Sequence, residues 1–113
     1  MTETDPNGLA AHVPGAKLDR GKVRAGLCID GFAHALWEVS RVTTFGADKY
    51  TPRGWLSVAD GVERYTDALH RHLLAEAKGE PVDRDSQLRH AAHAAWNALA
   101  RLELMLRAEL PDY

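Results

Sequence analysis

The chain has 113 residues, 45% of them hydrophobic and 27% charged, with a formal net charge of -2. That length suits one domain, and the near-balanced charge excludes a general nucleic-acid coat. The lone Cys28 cannot form an intramolecular disulfide, and no apolar run approaches the roughly 18 residues of a membrane span, so a cytoplasmic protein is expected.

Residues 1–21, MTETDPNGLAAHVPGAKLDRG, mix Pro, Gly, Asp and Asn with few large apolar side chains. Such a composition favours turns over a packed element and predicts a flexible N-terminal arm. The arm runs into the basic residues Lys17, Arg20, Lys22 and Arg24, which read as solubilising charge. The domain proper is expected over residues 22–113.

Asp30 is placed to cap a helix starting near Gly31, because its carboxylate can accept hydrogen bonds from the unpaired first-turn amides. Phe32, Ala35, Leu36, Val39 and Val42 then recur at helical spacing, with Glu38 beside their stripe and Gly46 as the expected stop. The segment GADKYTPRGWLSVAD, residues 46–60, has the Gly, Pro and aromatic content of an ordered loop. In it, Tyr50 and Trp55 either seal the core or offer a flat surface to a base. Lys49 and Arg53 add positive charge suited to phosphate.

A second helix is predicted from Asp60 to about residue 78, with Val62, Tyr65, Leu69 and Leu73 on its apolar stripe. His72 and Glu76 fall on an inner flank of that stripe, one helical turn apart, and Arg71 falls outside it. Gly79 is the expected stop. Glu80, Asp83, Asp85 and Ser86 follow in an acidic turn whose members can act as helix caps.

A third helix, about residues 87–109, carries Leu88, Ala92, Ala95, Leu99, Leu102 and Leu106 on one face. His90, His93, Asn97 and Arg101 form a stripe almost opposite. A stripe opposite the leucines is expected to be solvated unless a second packing surface covers it, and Trp96 at its edge hints at one. Three helices of this length make a thin core, so the all-α bundle is expected to be completed by homo-oligomerisation.

Three stretches, FGADKYTPRGW, RYTDALHRHLLAEAKGEPVD and HAAHAAWNAL, together resemble a phage-encoded helical family, the N-terminal domain of dATP/dGTP diphosphohydrolases, often placed near the MazG-like all-α nucleotide pyrophosphohydrolases. The resemblance rests on Gly46, Ala47, Lys49 and Tyr50, on Trp55, on Arg71, His72 and Leu73, on Gly79, Glu80 and Asp83, and on His90, His93 and Asn97, in that order. It implies hydrolysis of a purine (deoxy)nucleoside triphosphate to monophosphate and pyrophosphate, in phage remodelling of the nucleotide pool of the host cytoplasm. It also implies Mg²⁺ or Mn²⁺ as cofactor, because such an ion bridges phosphate oxygens and activates water.

With that implication the candidate metal ligands are Glu38, His72, Asp83, His90 and His93, and the candidate catalytic carboxylates are Glu38, Glu80 and Asp83. Lys49, Tyr50, Trp55, Arg71 and Asn97 are the candidate substrate contacts. MazG-like enzymes hold Mg²⁺ with paired helical carboxylates, yet here Glu38 is followed by Arg41, and histidines stand where the second pair belongs. Histidine suits softer ions than Mg²⁺. The alternative reading is a non-catalytic protein that sequesters a host nucleotide signal.

Overall fold

The structure, a computed structural model, describes residues 3–110 and is all-α: α1 (Ala25–Gly31), α2 (Ala33–Lys49), a 3₁₀ turn (Gly54–Ser57), α3 (Gly61–Ala77) and α4 (His90–Glu109). The three predicted helices are α2, α3 and α4, and the predicted ordered loop lies between α2 and α3. Extended pairing among the described residues is limited to two isolated bridges, Thr4 with Ala10 and Val82 with Arg89. No helix among them is long and apolar enough to cross a membrane.

The chain divides between Gly31 and Phe32 into two compact units. The first contains the expected arm, and its turns are organised by Asp5, which is buried. One Asp5 carboxylate oxygen accepts the amides of Asn7 (3.0 Å) and Leu9 (2.7 Å), the pattern by which a short acidic side chain closes a turn. Its carbonyl accepts the Arg20 guanidinium at 3.2 Å, so one of the four basic residues has a structural partner. Asp30 lies inside α1 and caps nothing, contrary to the expected role.

The second unit holds α2, α3 and α4. Phe32 precedes α2 without a side-chain cap. Gly46 does not end this helix. It is absent from the positive-φ glycines, and without the left-handed conformation a glycine stays in the helical path. The helix runs to Lys49, where Pro52 disfavours helical geometry at Thr51, and the Tyr50 amide closes the end on the Gly46 carbonyl at 3.0 Å. Asp60 marks the start of α3, but in a left-handed conformation (φ 55°) and with no side-chain cap. Gly79 (φ +91°) ends it as expected: its amide bonds Glu76 O at 2.9 Å, and the Glu80 amide bonds Ala75 O at 3.0 Å.

Helix α4 is central, with α3 and α2 packed against it. Gly61 at the head of α3 lets the two helices meet closely: a Cβ there would stand 2.7 Å from Leu104 Cδ1. Val42, Leu88 and Ala92 form the buried cluster, with Phe45 and Trp96 against it. Trp96 also meets Trp55 and Tyr65 edge-on, each at 5.5 Å between ring centres, and Tyr65 Oη donates to Trp55 O at 2.8 Å. Trp55 therefore takes the core-sealing role of the two weighed for it, whereas Tyr50 is exposed.

The packing of α4 reverses the expectation only in part: Ala92 and, just before the helix, Leu88 are buried as expected, but the rest of the predicted apolar face is not. His90, His93 and Asn97 are 7%, 8% and 5% exposed, while Leu99, Leu102 and Leu106 are 49%, 50% and 43% exposed. The polar stripe faces α3 and the acidic turn, and its polar atoms find partners there. The Arg101 guanidinium, one turn further on, donates to Thr66 Oγ1 of α3 at 2.8 Å. Leu73, expected on the inner stripe of α3, is exposed as well, with Leu74 beside it.

Candidate metal centre

Four segments build the site: His72 from α3, Asp83 and Ser86 from the acidic turn, His90 and His93 from the first turn of α4, and Phe45 from α2. The turn is tightly closed. The Asp83 amide donates to Leu88 O at 2.8 Å, Gln87 adopts φ 62°, and one Asp83 carboxylate oxygen accepts the Ser86 amide at 2.9 Å. Asp83 and Ser86 thus close the turn locally, as their capping reading suggested, while they also face the histidines.

His72 and His90 meet through their Nδ1 atoms at 2.8 Å, one ring donating and the other accepting. His72 also stacks on His93, with ring centres 4.6 Å apart and planes 12° apart. His93 Nε2 is 2.6 Å from Ser86 Oγ, and Phe45 presents an edge contact to the same ring at 6.3 Å. Asn97 Nδ2 donates to the His93 carbonyl at 2.8 Å, which occupies its amide within the helix.

One ligand atom each from His72, Asp83 and His90 lie within 4.8 Å of one another, a convergence able to hold a metal ion. The electrostatics keep His72 and Asp83 available as donors. Burial, followed by the neighbouring His93 and His90, lowers the His72 pKa to about 4, so its ring is neutral at physiological pH. Burial likewise lowers His93. For Asp83 burial pushes upward, but the backbone and side-chain hydrogen bonds of Ser86, with His93 and His72 nearby, outweigh it and bring the carboxyl below its ordinary value. The 3.9 Å approach of His93 Nε2 to Asp83 is therefore not an ion pair at neutral pH.

The other sequence candidates lie apart from this triad. Glu38 on α2 binds Arg41 through both carboxylate oxygens at 3.2 Å and borders a cavity with Pro81, Gln87 and Arg89. Glu80 pairs with Arg84 at 3.6 Å. Lys49 bonds Asp85 and so ties the end of α2 to the acidic turn. Arg71 is exposed on α3. Ser86 was legible only as a cap, and its contact with His93 depends on the turn's folded path. Phe45 gave no signal beyond an apolar residue at helical spacing.

Comparison with known proteins bears on the family of the chain. A family model for the N-terminal region of dATP/dGTP diphosphohydrolase matches residues 12–112. The chain is also 38% identical over 81 residues to a protein of Salmonella phage PMBT28 named dATP/dGTP diphosphohydrolase, a match covering 72% of this chain and 26% of that relative. The matched region is thus about a quarter of the relative's length. No solved structure matches the chain. With the family model spanning almost all of the chain, including every residue of the histidine cluster, this protein belongs to the dATP/dGTP diphosphohydrolase N-terminal family.

Proposed function

We propose that this chain is the nucleotide-handling module of a metal-dependent hydrolase that splits purine (deoxy)nucleoside triphosphates into monophosphate and pyrophosphate, in phage remodelling of a nucleotide pool. The observation that carries this reading is the convergence of His72, Asp83 and His90. Kinship with MazG-like enzymes belongs to the same reading. Two imidazoles and one carboxylate fit Mn²⁺ or another first-row ion better than Mg²⁺, which prefers oxygen ligands and keeps its waters.

When bound, such an ion would polarise phosphate oxygens and lower the pKa of a bound water. The chain's own residues supply the rest. Neutral His72 offers a ring lone pair, and Asp83 supplies negative charge. His93, also kept neutral, can take the proton of the attacking water at Nε2, the atom that Ser86 engages. Attack on the α-phosphorus breaks its bond to the bridging oxygen and releases pyrophosphate. Lys49 and Arg71 are the proposed phosphate contacts, Tyr50, Trp55 and Asn97 remain proposed substrate contacts, and Glu38 and Glu80 stand as further carboxylates outside the triad.

The test is pyrophosphate release from dGTP and dATP by metal-stripped protein resupplied with Mn²⁺ or Mg²⁺. Turnover is expected with Mn²⁺, falling at least about tenfold with EDTA. Release undiminished by EDTA, or no measurable Mn²⁺ binding, sinks the reading. Tight nucleotide binding without turnover favours sequestration.

Self-association is part of the same proposal, and the outward Leu99, Leu102 and Leu106 support it. Three leucines in one arc of a single helix are an apolar patch suited to burial against another copy. Light scattering at micromolar concentration should give at least a dimeric mass, which Leu102→Glu should reduce. A monomeric mass for the unaltered chain removes the proposal.

A further inference from the structure

The outward face of α4 extends beyond its three leucines. At about 100° per residue, Ala91, Ala95, Ala98, Leu99, Leu102, Leu106 and Glu109 fall within one arc of about 100° that follows the helix for about 27 Å. All seven are exposed. Neither neighbouring helix covers the arc, since α2 meets α4 at Ala92 and α3 meets it on the side of His90 and Arg101.

Side-chain size is divided along this arc. Its amino-terminal half carries the alanines and its carboxy-terminal half the leucines. A parallel pair of such helices packs badly, because alanine would face alanine across a gap while leucine held the other ends apart. Turned end for end, the face fits itself. The register that sets Ala98 opposite Leu99 of a second copy also sets Ala95 opposite Leu102 and Ala91 opposite Leu106. A two-fold axis repeats each contact, so every leucine of the pair fills the space above an alanine.

Charge agrees with the same direction. Glu109 ends the arc and has no hydrogen bond or ion pair among the described residues. In the end-for-end pair it reaches the amino end of the other α4, where first-turn amides and the helix dipole favour an anion and Arg89 is the N-cap residue. In a parallel pair the two Glu109 carboxylates would stand together and repel. We infer that the outer face of α4 is an antiparallel, two-fold dimer seam for a second copy of this chain, in the register that pairs Ala98 with Leu99. It rests on the self-association proposed above and adds its orientation and its contacts.

Cysteine crosslinking of the full chain tests the pairing, in a Cys28→Ser background that removes the exposed native thiol. Ala98→Cys, beside the axis, should form a disulfide-linked dimer under diamide. Ala91→Cys alone and Leu106→Cys alone should not, because in this register the two copies of either residue stand about 22 Å apart along the seam, far beyond the roughly 7 Å between Cα atoms that a disulfide spans. An equimolar mixture of the two variants should give the mixed dimer, identified by mass, in at least about tenfold excess over either like pair. Ala95→Leu should weaken the dimer about tenfold by overfilling the place that Leu102 takes, and Glu109→Lys about threefold at low salt. These positions are exposed, so circular dichroism should report unchanged helix content.

A dimer in which Ala91→Cys links to itself, or in which neither Ala98→Cys nor the mixture links, overturns the antiparallel seam and leaves self-association in place. A monomeric mass for the unaltered chain overturns both. Mn²⁺-dependent pyrophosphate release by such a monomer upholds the hydrolase reading while defeating the dimer, and the expected crosslinks in a chain that splits no dGTP do the reverse.

Discussion

Replacing His90 with Ala should reduce Mn²⁺-dependent pyrophosphate release by at least about 100-fold, the scale expected when one of three protein ligands is removed. The same change should lower stability. His90 is buried, and its loss leaves His72 Nδ1 without the partner that stands 2.8 Å away. An orphaned polar group in that setting costs about 2 kcal/mol. The cost arises because the histidine stripe, expected to be solvated, is buried.

Two further variants separate folding from metal binding. His90→Asn keeps a group able to bond His72, and should recover part of the urea midpoint but little of the Mn²⁺ affinity. His70→Ala removes an exposed histidine from the same helix as His72 and should leave both readouts near wild type. Wild-type turnover by His90→Ala would show that the triad holds no catalytic ion and would leave Glu38 and Glu80 as the candidate carboxylates.

The second large effect is a loss of stability in mild acid, measured on metal-free protein. His72 titrates at about 4 in the folded chain against an ordinary 6.5, because of burial and then its histidine neighbours, and His93 is lowered too. As pH falls below 6.5 the unfolded chain takes up these protons first, so stability is complete above that value and is lost progressively toward pH 4. Asp83 acts in a lower window: its depressed carboxyl contributes stability above its unfolded value of 3.8, lost as pH falls further.

Between the two limits the histidines dominate. The part-exposed His72 ring is screened by solvent, which reduces its contribution to about 2 kcal/mol. Urea midpoints in EDTA should drop clearly from near pH 7 to near pH 5, and His72→Gln should flatten the change. Equal midpoints for the wild type at those two pH values would contradict a buried neutral His72.

Residue spacing was enough to read the all-α class, the order of the three main helices, the stop at Gly79 and the ordered loop before α3. Each follows from local chemistry: a 3.6-residue period, a glycine with positive φ, and a proline beside aromatics. The same spacing put His90, His93 and Asn97 on one face of α4, and motif order pointed to the family. Periodicity cannot say which face of a helix meets a neighbour. Apolar arcs usually turn inward, so the leucines are expected there.

Tertiary packing chose the other face. Gly61 brings α3 close to α4, and His72, Ser86 and Thr66 provide partners for the polar stripe that no single helix holds. A buried polar group is tolerable only when such partners are in place, and they come from positions up to 35 residues away in sequence. The sequence alone therefore determined that His90, His93 and Asn97 share one face of a helix, whereas the fold decided that this face is interior and that Leu99, Leu102 and Leu106 stay at the surface while Leu88 and Ala92 are buried, because only long-range neighbours can satisfy the polar groups and leave those three leucines uncovered.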